Sequence, residues 1–320
     1  MQSWLRSQGF KIDYTPQNNH YVEAEGTVAQ AQTAFGTSFG MYSVSGQTVR
    51  SPTSDVTIPD TLANTLEGVM GLDQSAFFTQ PDHVVDKNAP PSPGFRNAPP
   101  LPLFWAGAGG SGYAYPSGFT ALSTPSTAPW TVKGYLPAQI KGAYGINPSA
   151  TGAGQTVAII DAYASPTILQ DVNTWSTRDG RNLPTMNGSQ FSQVVPPGIF
   201  NKPENKKQDP QGWYGEETLD VEAVHGMAPA AKIVYVGSPN NYQDLDAALN
   251  HVVDRGLAQI VTNSYGFSGE LLPPGYIKPY EDTLIQAAAA GIGVYFSSGD
   301  SGDETSNLGV ASPDWPAVSP

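Results

Sequence analysis

The chain has 320 residues, enough for about two domains, and 39% of them are apolar, enough for a sizeable core. Fifteen Lys and Arg stand against 28 Asp and Glu, a net charge of −13, which argues against nucleic acid or an anionic membrane as partner and suits a protein working in acid. With no cysteine there is no disulfide, thiolate metal site or Cys nucleophile, and no apolar run reaches the ~18 residues of a membrane span.

Residues 1–80 read as a small α+β unit. Trp4, Leu5 and Phe10 suit a helix end broken at Gly9, residues 20–25 alternate as a strand, and Thr27 caps a helix running to Phe35. A hairpin follows over 39–51, turning at Ser45-Gly46, then a helix opened by Pro59 and a strand near 69–72. The order approaches a ferredoxin-like split βαβ unit lacking its first strand. The chain opens inside an amphipathic segment with no leader, so the true N-terminus is expected upstream. Residues 81–130 are rich in proline and glycine and read as an exposed, cleavable linker.

From 131 to 320 the pattern alternates: strand 156–160, helix 167–177, helix 216–226, strand 232–236, helix 242–255, strand 259–264, helix 280–290 and strand 293–298. This predicts an α/β fold, a parallel sheet with helices on both faces, whose functional groups sit at the carboxyl ends of the strands. Those ends carry Asp161, Ser264-Tyr265-Gly266 and Ser298-Gly299-Asp300. On the helix from 216, Glu216 and Asp220 are four residues apart and share a face, about 40° apart. Spacing alone makes this a solvated acidic face; an ordinary strand-end acid accounts for Asp161, and Gly-Asp-Ser-Gly around Asp300 is good turn chemistry.

In chain order, TVAIIDAY ending in an acid, GMAPAAKIVYV after the helix, NSYG and SSGDSGD together resemble the subtilisin-like fold, with Glu216 where a catalytic His would stand. The E-x-x-x-D pair of Glu216 and Asp220 resembles the sedolisins, the serine-carboxyl peptidases of acid environments. YLPAQIKGAYGI resembles the start of their mature domain, and residues 1–80 their activation prodomain. The resemblance implies Glu216 as general base, Asp220 as its orienting partner, Asp300 as the acid that hydrogen-bonds the oxyanion, and Asp161 as an acid behind the dyad. Ser264, Tyr265 and Gly266, read as a sheet-edge segment with free backbone groups, are expected to hold substrate as an extended strand, with Tyr265 either walling a side-chain pocket or packing in the core. The resemblance further implies a secreted, monomeric zymogen and endopeptidase of peptides and proteins, inhibited by its own prodomain. The family motif Gly-Thr-Ser-x-x-x-Pro is absent: Gly36-Thr37-Ser38 is followed by Tyr42 at the Pro position and reads as a turn. The nucleophile and the family's Ca2+ ligands are therefore expected beyond residue 320, and the 320-residue chain is expected to be inactive.

Three rivals are weighed. A Ser-His-Asp peptidase needs His225 on the dyad face, but it lies nine residues from Glu216, roughly 180° around the helix. A non-catalytic peptide-binding relative stays open until the serine is found. A glycosidase needs carboxylates flanking a sugar rather than sharing one helix face.

Overall fold

The computed structural model describes residues 1–44, 47–74, 79–81, 136–177, 181–196, 210–241, 243–269, 272 and 274–319. The Ser45-Gly46 turn and nearly all of the expected linker lie outside these residues.

The N-terminal unit comprises α1 (Gln2–Ser7), β1 (Lys11–Tyr14), β2 (Glu23–Glu25), α2 (Val28–Phe35), β3 (Phe39–Val44) and β4 (Gln47–Pro52), and the short strand β5 (Thr79–Pro81) follows it. Thr27 caps α2 in a reciprocal box, its side chain accepting from the Gln30 N–H while Gln30 accepts from the Thr27 N–H. A strand not read in the sequence, β1, follows α1 and pairs antiparallel with β2, its four-residue KIDY run being too short for a periodic signal. The segment after Pro59 forms only a 3₁₀ turn, Asp60–Leu62, and no strand follows at 69–72. Val69 and Leu72 instead pack irregularly against the Leu5, Ala31 and Phe35 core.

The larger unit holds α3 (Pro137–Ala143), β6 (Thr156–Ala162), α4 (Ile168–Thr177), β7 (Phe191–Val194), α5 (Pro210–Met227), β8 (Lys232–Ser238), α6 (Gln243–Arg255), β9 (Ile260–Asn263), β10 (Tyr265–Phe267), α7 (Pro274–Ala289), β11 (Gly293–Phe296) and α8 (Thr305–Leu308). Five strands form a parallel sheet in the order β11-β9-β6-β8-β7. Alternation along β6 sends Ala158, Ile160 and Ala162 to the face covered by α6 and α7. Ile159 points to the opposite face, where Ile168 and Val172 of α4 and Val221 of α5 pack on Ile233 and Tyr235. The α/β expectation with helices on both faces is thus met. Helix α5 begins at Pro210, six residues earlier than predicted, because proline suits a first helical turn.

The N-terminal unit docks on α6 and α7. Gln17 and Asn18 donate their backbone N–H groups to the Asp254 carboxylate at 3.1 and 2.9 Å, and Asn18 Nδ2 reaches Asn250 Oδ1 at 2.7 Å and Gln286 Oε1 at 2.9 Å. Tyr276 donates its hydroxyl to Asp73. Past this interface β5 pairs antiparallel with β10, with Pro81 opposite Tyr265, Gln80 opposite Gly266 and Thr79 opposite Phe267.

Candidate active site

Helix α5 turns its acids inward. Glu216 and Glu217 are 0% exposed and Asp220 7%, whereas Leu219 is 48% exposed. Trp213, Glu216, Glu217, Asp220, Val221 and His225 share the buried face at a 3.6-residue period. Burying ionised carboxylates costs several kcal/mol each unless protons or hydrogen bonds compensate, so a solvated acidic face is excluded as the reading of this helix.

Odd-numbered alternation aims Asp161 of β6 at the same helix. Its side chain is fully buried and neither carboxyl oxygen has a hydrogen-bond partner among the described residues. Its pKa is raised well above the ordinary carboxylate range, first by burial and then by the charges of Asp220, Glu216 and Glu217. Asp161 therefore couples to Glu216 and Asp220 electrostatically rather than through a hydrogen bond. Directly after β9, Ser264 donates its hydroxyl to Asp220 Oδ1 at 2.9 Å. Strand-end residues of β6 and β9 and one face of α5 thus converge at the carboxyl end of the sheet.

Two expected residues sit elsewhere. Tyr265 is fully buried, edge-on to Phe296 with centroids 5.8 Å apart and 6.3 Å from Trp213. It is core, not a pocket wall, because alternation turns it inward between Ser264 and Gly266. Asp300 stands on an exposed turn four residues past β11 and makes no hydrogen bond among the described residues. His225 is buried with Nε2 2.7 Å from the Pro184 carbonyl oxygen, which removes it from the role the histidine rival required. Gly36 ends α2 in the left-handed region, and Thr37 hydrogen-bonds the Ser54 carbonyl at 3.1 Å, so Gly36-Thr37-Ser38 is structural.

Sequence reasoning passed over Glu217 and Tyr235. Glu217 accepts the Ser165 N–H at 2.5 Å and Gln193 Nε2 at 2.7 Å, while Gln193 Nε2 also donates to the Ser165 carbonyl at 2.8 Å, closing a ring from the β6–α4 loop through α5 to β7. Burial pushes its pKa up to about 8 against the opposing effect of those two donors. Tyr235, on β8, donates to the Tyr163 carbonyl at 3.0 Å, and the acids 161, 216, 217 and 220 all act on its hydroxyl. Tyr163 itself holds a left-handed φ of 65°, a strained conformation for an aromatic residue two positions from Asp161. The signal for Glu217 was its spacing of four from both Trp213 and Val221. No three His, Asp or Glu side chains are grouped to hold a metal ion among the described residues, and calcium remains an expectation of the resemblance.

Residues 1–75 match the pro-kumamolisin activation domain family. Kumamolisin of Bacillus sp. (strain MN-32) is 29% identical over 326 residues, covering 100% of this chain and 51% of that protein. Sedolisin of Pseudomonas sp. (strain 101) is 25% identical over 328 residues, covering 99% and 49%. A solved structure of Pseudomonas sedolisin, a serine-carboxyl proteinase complexed with two molecules of pseudo-iodotyrostatin, is 24% identical and covers 58% of this chain and 52% of its own, with a TM-score of 0.48. The chain spans about half the length of the curated relatives it matches. The chain thus opens with a match to an activation domain and is similar along its whole length to kumamolisin and sedolisin.

Proposed function

We propose that the chain carries the activation unit and part of the catalytic domain of a secreted, acid-active serine-carboxyl endopeptidase. The observation that carries this reading is the burial of Glu216 and Asp220 on one helix face beside Asp161, with Ser264 bonded to Asp220. Two adjacent buried carboxyls hold one proton between them, so the pair can still take a proton from a serine in acid, where a histidine base is already charged. Glu216 is the base and Asp220 its orienting partner. Asp300, on its exposed turn, donates a hydrogen bond to the oxyanion and must be protonated to do so. The serine is supplied from outside the residues assigned here. Peptide substrate lies extended along Ser264-Tyr265-Gly266, held by backbone hydrogen bonds. The β5–β10 pairing supports self-inhibition, since the segment leaving the activation unit takes the strand edge that substrate would use.

The test is a form of the protein extended to the relatives' length, assayed on a denatured protein between about pH 3 and pH 8. Cleavage confined to acid is expected, with Glu216→Gln, Asp220→Asn and Asp300→Asn each losing at least about 100-fold in kcat while staying folded. An optimum near pH 8, or full activity in Glu216→Gln, would overturn the assignment.

A further inference from the structure

Among the side chains that α5 buries, Trp213 and Val221 are apolar, whereas Glu216, Glu217, Asp220 and His225 are not. Trp213 packs in the cluster of Ala158 and Ile160, and Val221 in the cluster of Ile159 and Ile233 on the other face of the sheet. These contacts press the helix onto the sheet but set its rotation loosely, because apolar attraction has no direction. The rotation matters at this helix. A carboxyl carried roughly 6 Å from the helix axis moves about 2 Å when the helix turns by about 20°, and the 2.9 Å bond from Ser264 to Asp220 does not survive such a shift.

Directional contacts must therefore hold the angle, and Glu217 supplies those nearest the dyad. Around the helix it lies about 100° from Glu216 and about 60° from Asp220. Both of its oxygens are engaged, Oε2 by the Ser165 N–H at 2.5 Å and Oε1 by Gln193 Nε2 at 2.7 Å, so the carboxyl plane is held from two sides. The receiving ends do not belong to the helix. Gln193 is part of β7, and it also holds the Ser165 carbonyl at 2.8 Å. The loop that carries Ser165 is tied to β8 as well, through the Tyr163 N–H on the Ser238 carbonyl and the Tyr235 hydroxyl on the Tyr163 carbonyl. His225 adds another fixed point about 12 Å farther along α5, at the Pro184 carbonyl. A buried glutamate is a costly way to fill a core position, since an apolar side chain of similar volume desolvates no carboxyl. What the glutamate adds is direction.

We propose that Glu217, together with Gln193, is a positioning residue that fixes the rotation of α5 and so holds Glu216 and Asp220 toward Asp161 and Ser264. It touches no reacting atom in the chemistry described above. Its effect on rate comes through the dyad, where a displacement of about 1 Å costs about 100-fold. The catalytic meaning rests on the reading of Glu216 and Asp220 given above; the structural claim does not.

Carboxyl footprinting of the folded 320-residue chain tests the structural claim. A carbodiimide couples glycine ethyl ester to accessible carboxyls in mild acid, and tandem mass spectrometry reads each residue. In the wild type Glu216, Asp220 and Asp161 should all label slowly, all three being buried. In Glu217→Gln, labelling of Glu216 and Asp220 relative to Asp161 is expected to rise at least about fivefold, because Asp161 is carried by the sheet and not by the helix. Val252→Ala, in the core on the opposite side of the sheet, is the stability control. Global unfolding exposes all three acids together, so this variant should leave the ratio where it is. An unchanged ratio in Glu217→Gln, or an equal rise in Val252→Ala, overturns the proposal. Should Glu217→Gln fail to fold, Gln193→Met decides by the same ratio, with a rise of at least about twofold expected from the loss of one of the two bonds. In the form extended to the relatives' length, Glu217→Gln is expected to lose at least about 30-fold in kcat with KM within about threefold of wild type; an unchanged kcat beside an active wild type overturns the proposal. A raised labelling ratio beside an extended wild type that cleaves no peptide leaves the positioning claim standing and removes the peptidase reading.

Discussion

Glu216 and Glu217 are sequence neighbours with opposite local chemistry. Glu216 stands with Asp220 and Asp161, whereas Glu217 closes a ring with Ser165 and Gln193 that fixes the approach of α5 to the sheet. Replacing one of its oxygens by an amide sets a donor against a donor, at a cost of about 1–3 kcal/mol for a buried unsatisfied group. The pH dependence has a definite sign. The folded-state pKa of about 8 lies above the reference value of 4.5, so the wild-type contribution is complete below about pH 4.5 and is lost as pH rises through about 8. Urea unfolding of Glu217→Gln should therefore show a deficit at pH 5 that narrows at pH 9. A gap that widens with pH would mean that the ring, not burial, governs this carboxyl.

At the scale of elements, the contact between β6 and β8 is as tight as the acids require. Tyr163 follows β6 in a left-handed conformation, its N–H donating to the Ser238 carbonyl at 2.8 Å, and its carbonyl lies over Gly237 so closely that a β-carbon there would collide with it. Gly237→Ala should destabilise the fold by roughly 1–3 kcal/mol, seen as a lowered midpoint of thermal unfolding; an unchanged midpoint would mean the loop yields freely and does not position Tyr235. The strands of the sheet were legible because β6, β8 and β9 are near-continuous apolar runs flanked by helical periods. Strands β1, β7 and β10 were not, being three or four residues long and defined by their partners. For the site, the i,i+4 spacing of Glu216 and Asp220 was visible, but burial was not, since a helix with acids on its inner face looks identical in sequence to one with acids in water. The side of Tyr265 was not legible for the related reason that which side of a strand faces the core is a property of the sheet.

For the whole molecule, the buried acids set the pH range of stability. Burial raises Asp244 to about 6, Asp246 to about 7, Glu217 to about 8 and Glu222 to about 9, and Asp161 moves in the same direction. Each folded value exceeds its unfolded one, so these contributions are complete below about pH 4 and disappear successively as pH rises through those values. His225 and His251 act oppositely: burial lowers both, so their contribution is present above the unfolded value of 6.5 and lost in more acid solution. Five carboxyls outweigh two histidines, because each tenfold change in proton affinity between folded and unfolded chains is worth about 1.4 kcal/mol. The thermal midpoint should therefore fall by about 10 °C or more between pH 4.5 and pH 8, measured by calorimetry; a flat or rising midpoint would contradict the burial pattern. At the docking interface, Asn18→Ala removes the side-chain bonds to Asn250 and Gln286 and should expose the 1–44 region to limited proteolysis before the sheet; protection equal to wild type would place the affinity of the two units elsewhere.

The pairing of β5 with β10 engages only three residues, which is too little to hold two separate molecules together. Joined in one chain, the two partners meet at an effective concentration on the order of millimolar, whatever the amount of protein in solution. Cutting the chain anywhere between Pro81 and Leu136 would change nothing in the geometry of the pair at that instant, yet it would convert a reaction of fixed local concentration into one that dilution drives apart. The same weakness that makes the strand a poor ligand in trans makes its departure irreversible in practice, so occupancy of the β10 edge would report the integrity of the covalent connection rather than the strength of the contact.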